Sequence, residues 1–564
     1  MDFTTGEPGE TVEEVAAPDR GGATPLQTIT VLAPALALAA CGEGGSTTGP
    51  IASPSPTPTP APAPLGDAQA SRLLGQATMG ATRNTINTLV ARGIDGWLTD
   101  QFATARATTH WDALVAGGFS DPSFVNSQQG FDPGMWRQLI TAPDQLRQRV
   151  GMALLDMLVV GIDGVNLNWV QFAMAAYVDV LLDNAFGNFR DIMDKITFNA
   201  AMSSYLTFLG NRKANASGAV PDENYARELM QLFTIGLYKL NMDGSLAGGV
   251  ATETYGQADV TGLARIFTGL VLANNTSTTP DRYRLPLIMN ASINETGSST
   301  FLGTTVSGGG TAAIKTALDT IFAHQNIPPF VSKQLIQRLV TSNPTPAYVG
   351  RVSAVFANNG SGVRGDMKAV IRAILTDTEA RSDTALGVTT TGKLREPVMR
   401  LTGWARAFGA STTTNAWGIG DTSSQSTRLG QSMGRSPSVF NFFRPEYTPP
   451  NTQISAQGLV GPEFQITNEQ SVVGYINYIN GAVNNGLSDV KADYTAMLAL
   501  SADSAALVAE INTVLAAGQL SNATVASIKA AVDSVANSGT NGPTNRVKIA
   551  ILLTLASPDF LMVK

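Results

Sequence analysis

The stretch PDENYARELMQLFTIGLYKL, residues 221–240, carries the reading of the whole chain. Its apolar residues recur three and four apart, the spacing of a helix buried along one side. At about 100° per residue, Tyr225, Leu229, Leu232 and Phe233 share a face and Ala226 borders it. A helix over 222–237 packed into a core is therefore expected, with Asp222 placed to cap it. Glu223 and Arg227 fall on the far side at i, i+4, where they can pair. Glu228 sits at the edge of the apolar face, beside Tyr225 and Leu232. A partly buried carboxylate needs a cation, or its proton affinity rises. Arg212, Lys213, Arg227 and Arg265 are the nearest cations in sequence. As a functional group Glu228 would be a general base or a metal ligand. As an architectural group it would be an ion-paired residue that fixes helix packing, and this is the expectation.

The pattern extends outward on both sides. DAQASRLLGQATMGATRNTINTLVARGIDGWLTDQF gives two short helices punctuated by Gly80 and Gly93, and APDQLRQRVGMALLDMLVV another. A helical pair follows from Trp169 to Asn211. Three more helices lie between Ile327 and Arg381, cut by Pro344, Pro346 and the Gly360 region, and VKIAILLTLASPDFLMVK is a last one. Strand-like alternation is confined to RYRLPLIMN and STFLGTTV. The fold class expected is mostly α: a multi-helix globular body, residues 67–564, with a small β element and subdivisions near 275–310 and 410–430.

Ahead of the body the composition changes. The single cysteine, Cys41, closes an apolar run from Ile29, far short of the roughly 20 residues a membrane span needs. Leu38-Ala39-Ala40-Cys41 resembles the lipobox of bacterial lipoproteins, in which the cysteine is lipidated and becomes the mature N-terminus. Residues 1–41 are therefore read as a signal and lipobox segment. They depart from the usual pattern in an acidic start whose one basic residue is Arg20. Residues 42–66, rich in Pro, Ser and Thr, favour extended polyproline II and read as a disordered tether. With Cys41 lipidated, no thiol remains for a disulfide or a nucleophile.

Over residues 70–564 the chain resembles the bacterial family called domain of unknown function 1800 (DUF 1800). The segments that carry the likeness are NAFGNFRDIMDKITFNAAMSSYLTFLGN, ENYARE, DVTGLARIFTGL, KQLIQRLVTSNPTPAYVGRVSAVF, GDMKAVIRAILTDTEAR, KLREPVMRLTGWARAF, SPSVFNFFRPEYTPP and LASPDFLMVK. ENYARE is the most specific of them. The resemblance implies export, no settled reaction, and a partner: an exported protein of the DUF 1501 family, itself similar to sulfatases and alkaline phosphatases. Many members carry His-Pro where this chain has Asn199-Ala200, and a His in the segment that here contains Asn294 and Ser299. Any ligand or base those histidines supply is lost here, because asparagine cannot be protonated and is a poor ligand for zinc.

The residues argue several chemistries down. Only His110 and His324 remain, in unlike contexts, so neither a histidine-rich zinc site nor a serine triad is expected. No G-x-S-x-G elbow or phosphate-binding loop occurs. Asn241, Asp243 and Ser245 offer oxygen ligands without the spacing of a calcium loop, and read as a polar turn. The net charge of −7, with no long basic stripe, argues against nucleic acid. No metal and no cofactor is expected. The weak catalytic candidates are Glu228, Glu223 and Arg227. The weak binding candidates are Asn224 and Tyr225, with Phe440, Phe443 and Arg444, aromatic and cationic side chains of the kind binding hot spots use. Whether the chain is an enzyme stays open. The leading reading is a non-catalytic, lipid-anchored helical scaffold or binding protein, periplasmic or at the cell surface, touching the membrane through its lipid alone. The alternative is a carboxylate-dependent hydrolase of extracellular polymer, with its site near Glu228.

Overall fold

In a computed structural model, residues 65–274 and 278–564 are described. Cys41 and the tether through Pro64 lie outside them. Helix makes up 54% of the structure and strand 5%, so packing of helix on helix decides the architecture and the strands act as clips. The first helices are α1 (Asp67–Ala77), α2 (Arg83–Ala103), α3 (His110–Ala116), α4 (Phe131–Thr141) and α5 (Gln145–Met157). They are followed by α6 (Val170–Asp183), α7 (Phe189–Thr197) and α8 (Ala200–Tyr205). Helix α6 lies at the centre. Phe172, Ala173, Met174, Ala175 and Tyr177 are fully buried in it, because the run VQFAMAAYVDVLL is apolar on nearly every side.

The ENYARE segment forms α9 (Asn224–Glu228), and here the expected continuous helix changes character. Residues Leu229–Thr234 form a π-helix, in which the Ile235 amide reaches back to the Met230 carbonyl at 3.0 Å. The wider turn carries Met230 into the core and leaves Leu232 only half-buried, whereas Tyr225, Leu229 and Phe233 are buried as expected. Gly236, at φ 72°, ends the segment in the left-handed region that favours glycine.

Beyond it come α10 (Gln257–Ile266), α11 (Gly310–Ala323), α12 (Ile327–Leu339), α13 (Pro346–Ala357) and α14 (Met367–Thr376). Helix α13 begins on Pro346 with Thr345 as its cap. Among the described residues there are four two-stranded antiparallel sheets, three of which join segments distant in sequence. STFLGTTV folds as a hairpin, Ser299–Phe301 against Thr304–Val306. RYRLPLIMN is mostly not strand. Pro280–Arg284 is a 3-10 turn led by proline, and only Ile288–Met289 pairs, with Leu270–Val271. The C-terminal Met562–Val563 closes onto Lys393–Leu394, just ahead of the helix Pro397–Ala407.

Candidate functional site

The residues singled out in ENYARE turn out to hold helices together. The Glu223 carboxylate accepts from Thr261 Oγ1 at 2.7 Å, Gln257 Nε2 at 2.7 Å and Arg227 at 3.2 Å, which ties α9 to α10. The Thr261 hydroxyl above all, with Gln257 and Arg227, holds that carboxyl below its usual range. Asp222 accepts the Asn224 amide at 2.8 Å, and the half-buried Asn224 side chain reaches only Thr207, at 3.4 Å. Tyr225 is a core residue: it stacks on Phe208 with centroids 4.1 Å apart, and its hydroxyl meets Thr197 Oγ1 at 2.7 Å.

Glu228 departs from expectation. It is 8% exposed, yet Arg227 pairs with Glu223 instead, and Glu228 Oε2 has no hydrogen-bond partner among the described residues. Burial raises its proton affinity, opposed only weakly by the more distant Arg227. Glu228 lines none of the cavities discussed below.

Of the aromatic candidates, Phe443 is buried, and Phe440, 37% exposed, lies under the Arg444 guanidinium at 4.4 Å. Phe442, next to Phe443, meets a cavity of about 490 Å³ with Tyr205 and Arg435. Among the described residues, no group of three or more His, Cys, Asp or Glu is placed to hold a metal ion. His110 is buried, which pushes its imidazole down to about 4. His324 accepts the Asn326 amide through Nδ1. Asp243 is consumed in a turn, accepting the Ser245 amide and hydroxyl.

A cleft of about 700 Å³ opens elsewhere among the described residues. One wall is α3 and α6, with Trp111, Ala176 and Val180. The opposite wall is α7, the turn into α8 and the start of α11, with Lys195, Phe198, Asn199, Thr311 and Lys315. Tyr283 to Leu287 closes the space between them. The apolar lining comes from Trp111, Phe198, Tyr283 and Leu287, all largely buried, and from Leu285, 43% exposed. Acids in the cleft are mostly committed. Asp179 and Asp183 both pair with Arg106, and Asp179 also takes the amides of His110 at 2.8 Å and Trp111 at 2.9 Å. Asp194 lies 3.5 Å from Arg190. Arg284 covers the Trp111 ring at 5.1 Å and pairs with Asp281.

Asn199 lines this cleft, and Asn294 holds the start of α11, whose Thr311 lines it as well. Asn199 is 6% exposed and caps α8, its Oδ1 accepting from Ala201 N at 2.9 Å and Met202 N at 3.2 Å. Asn294 donates to the Thr268 carbonyl at 2.7 Å and accepts the Gly310 amide at 2.7 Å, fixing the first residue of α11. A side chain at Gly309 would come within 2.2 Å of Asn294 Oδ1, so the close approach depends on glycine there.

A family model described as a protein of unknown function, DUF1800, matches residues 72–562. The chain belongs to the DUF1800 family. No curated protein and no solved structure matches it.

Segments that mark this DUF1800 chain also converge on a second constellation, one with almost no solvent. Lys393 Nζ lies 3.3 Å from Glu396 and 2.9 Å from Glu463. It also donates to the Arg338 carbonyl at 2.9 Å, and that oxygen takes Arg149 as well. Arg338 donates to the Asp156 carbonyl at 2.7 Å, and Asn441, from SPSVFNFF, donates to the Asp156 carboxylate at 2.8 Å. All are 6% exposed or less. Burial raises the proton affinity of Asp156, with Glu396 adding to it, and burial likewise raises that of Glu463. Burial also works against an ionised Glu396, but Lys393 with Arg149, Gln431 and Arg338 outweighs it and holds this carboxyl low. The adjoining void is about 10 Å³, room for one water at most. The cluster locks α5, α12 and the helix after Lys393 together and has no room for a substrate.

Proposed function

We propose that this DUF1800 protein is an exported, lipid-anchored binding protein of the bacterial envelope, and that the 700 Å³ cleft is where it binds. The observation that carries the reading is the cleft's composition: an apolar lining of Trp111, Phe198, Tyr283, Leu285 and Leu287, bordered by charged groups. Such a lining suits an amphipathic ligand, whose apolar body gives affinity and whose polar groups give orientation. The address rests on Leu38-Ala39-Ala40-Cys41 and the Pro-rich tether behind it. Among the described residues no helix is long and apolar enough to cross a membrane, which is compatible with attachment through lipid alone. An exported DUF 1501 protein is the partner the family context suggests.

Fluorescence titration with phenylnaphthylamine, a neutral apolar probe, tests the binding reading. One saturable site per chain is expected, weakened about fivefold by Leu285→Asp, an exposed position whose change spares the core. Absence of saturable binding overturns it. Intact-mass analysis of protein from native membranes tests the address: a diacylated N-terminus at Cys41 is expected, and an unacylated start elsewhere contradicts it.

One observation favours the second reading, a carboxylate-dependent hydrolase: Glu228 combines a buried, unpartnered oxygen with a π-helix directly after it, a distortion that is frequent at functional sites. Turnover of an envelope polysaccharide that is abolished by Glu228→Gln, with the fold intact, would establish it.

A further inference from the structure

We infer that the wall of the cleft made by α7, the α7–α8 turn and α11 is an anion-recognition subsite, so that the ligand is an amphiphilic acid: a carboxylate, sulfate or phosphate carried on an apolar or aromatic body. The inference rests on the binding reading above.

Three independent features lead to it. The first is Asn199. Both of its hydrogen bonds use Oδ1, on the α8 amides, and its Nδ2 has no partner among the described residues although the residue is 6% exposed and lines the cleft. That donor is not sealed from solvent, so at the cleft wall it can give its hydrogen bond to an acceptor from outside the chain. The second is the start of α11, a helix of 14 residues. Its first amide, Gly310 N, is satisfied by Asn294, while its N-cap, Gly309, has no side chain to offer the following amides. Thr311, in that first turn, lines the cleft, where free N–H groups and the positive end of the helix favour negative charge. The third is the pair of lysines. Lys315 stands one turn beyond Thr311 and has no ion-pair partner among the described residues, and Lys195 is held only by the neutral Asn184 Oδ1, at 2.6 Å. The acids on this wall do not compete for them at close range, because Asp194 and Asp319 share the Arg190 guanidinium. The one uncommitted carboxylate in the cleft, Asp112, belongs to the α3 wall.

A matched pair of probes separates this inference from the reading beneath it. Anilinonaphthalene sulfonate carries the ring system of phenylnaphthylamine with an added anionic group. The sulfonate is expected to bind the wild-type protein about tenfold more tightly than the neutral probe at low ionic strength, the difference shrinking as salt rises. Lys315→Met, an exposed change, should lower the ratio of the two affinities about fivefold. Asn199→Asp keeps the cap oxygen of α8, removes the Nδ2 donor and adds a negative charge, so it should invert the preference in favour of the neutral probe. Failure of both probes to bind removes the binding reading itself. Saturable binding of both probes at a ratio near one, or a ratio that neither substitution moves, leaves the cleft standing and overturns the anion subsite.

Discussion

The cluster around Lys393 and the wall around Asn199 are both polar constellations set in a helical body, yet they are built on opposite principles. In the cluster, charges face one another: Lys393 answers Glu396 and Glu463, two guanidiniums spend donors on a carbonyl each, and Asn441 and Gln431 take one oxygen each of Asp156 and Glu396, while Asp156 Oδ2 and Glu463 Oε2 have no hydrogen-bond partner among the described residues. At the wall, donors face open space: the Asn199 amide, the first turn of α11 and two lysines. The number of charges does not separate architecture from function here. What separates them is whether the charges face opposite charges packed against them or face a cleft with room for a ligand.

If the cluster is architecture, breaking it should carry the largest stability cost in the molecule. Lys393→Met strips two buried carboxylates of their cation, and a loss of about 3–5 kcal/mol is expected by denaturant unfolding, with probe binding by the surviving folded fraction retained. A loss below 1 kcal/mol would mean that the cluster is hydrated and open, and the contrast would collapse.

Next in size comes the clasp between α9 and α10. Glu223→Ala abandons Thr261, Gln257 and Arg227 and should cost about 1–2 kcal/mol. A neutral result would show that this exposed network is no better than scattered surface pairs.

Glu228→Gln should act with the opposite sign. The folded carboxyl is raised by burial, so between its unfolded value, near 4.3, and its raised folded value the native state holds the proton that the unfolded state has released. Native stability therefore falls as pH climbs through that window, and a neutral glutamine escapes the loss. The variant should match wild type at pH 4 and melt higher at pH 7. A lower melting temperature at pH 7 would point to a cationic partner and return Glu228 to the paired class. Smallest of all, Phe440→Ala removes a ring stacked only under the exposed Arg444 and should change stability by less than about 0.5 kcal/mol.

Much of the fold was legible because helix periodicity is local. VQFAMAAYVDVLL, the Pro346 start and the STFLGTTV hairpin all carry their signals within a few residues. The exchange of Leu232 for Met230 was not legible, because a wheel drawn at helical pitch cannot anticipate a π-turn. Nor was the absence of a cation at Glu228, since Arg227 has two acids within reach and only the packing of α10 decides between them. The cleft was missed altogether. Its lining comes from segments spread between Thr109 and Lys315, and in DIMDKITFN the polar Lys195 and Asn199 look like any solvated helix edge.

The central claim is that donors facing an open cleft mark the binding wall and charges packed against opposite charges mark the scaffold. Hydrogen exchange measured with and without saturating anilinonaphthalene sulfonate tests it most directly, because it locates the contact on the native protein. The account predicts slowed exchange in peptides covering 195–202, 283–287 and 310–315, with no change over 393–400 or 423–442. Protection centred on 423–442, or spread without localisation, would contradict it.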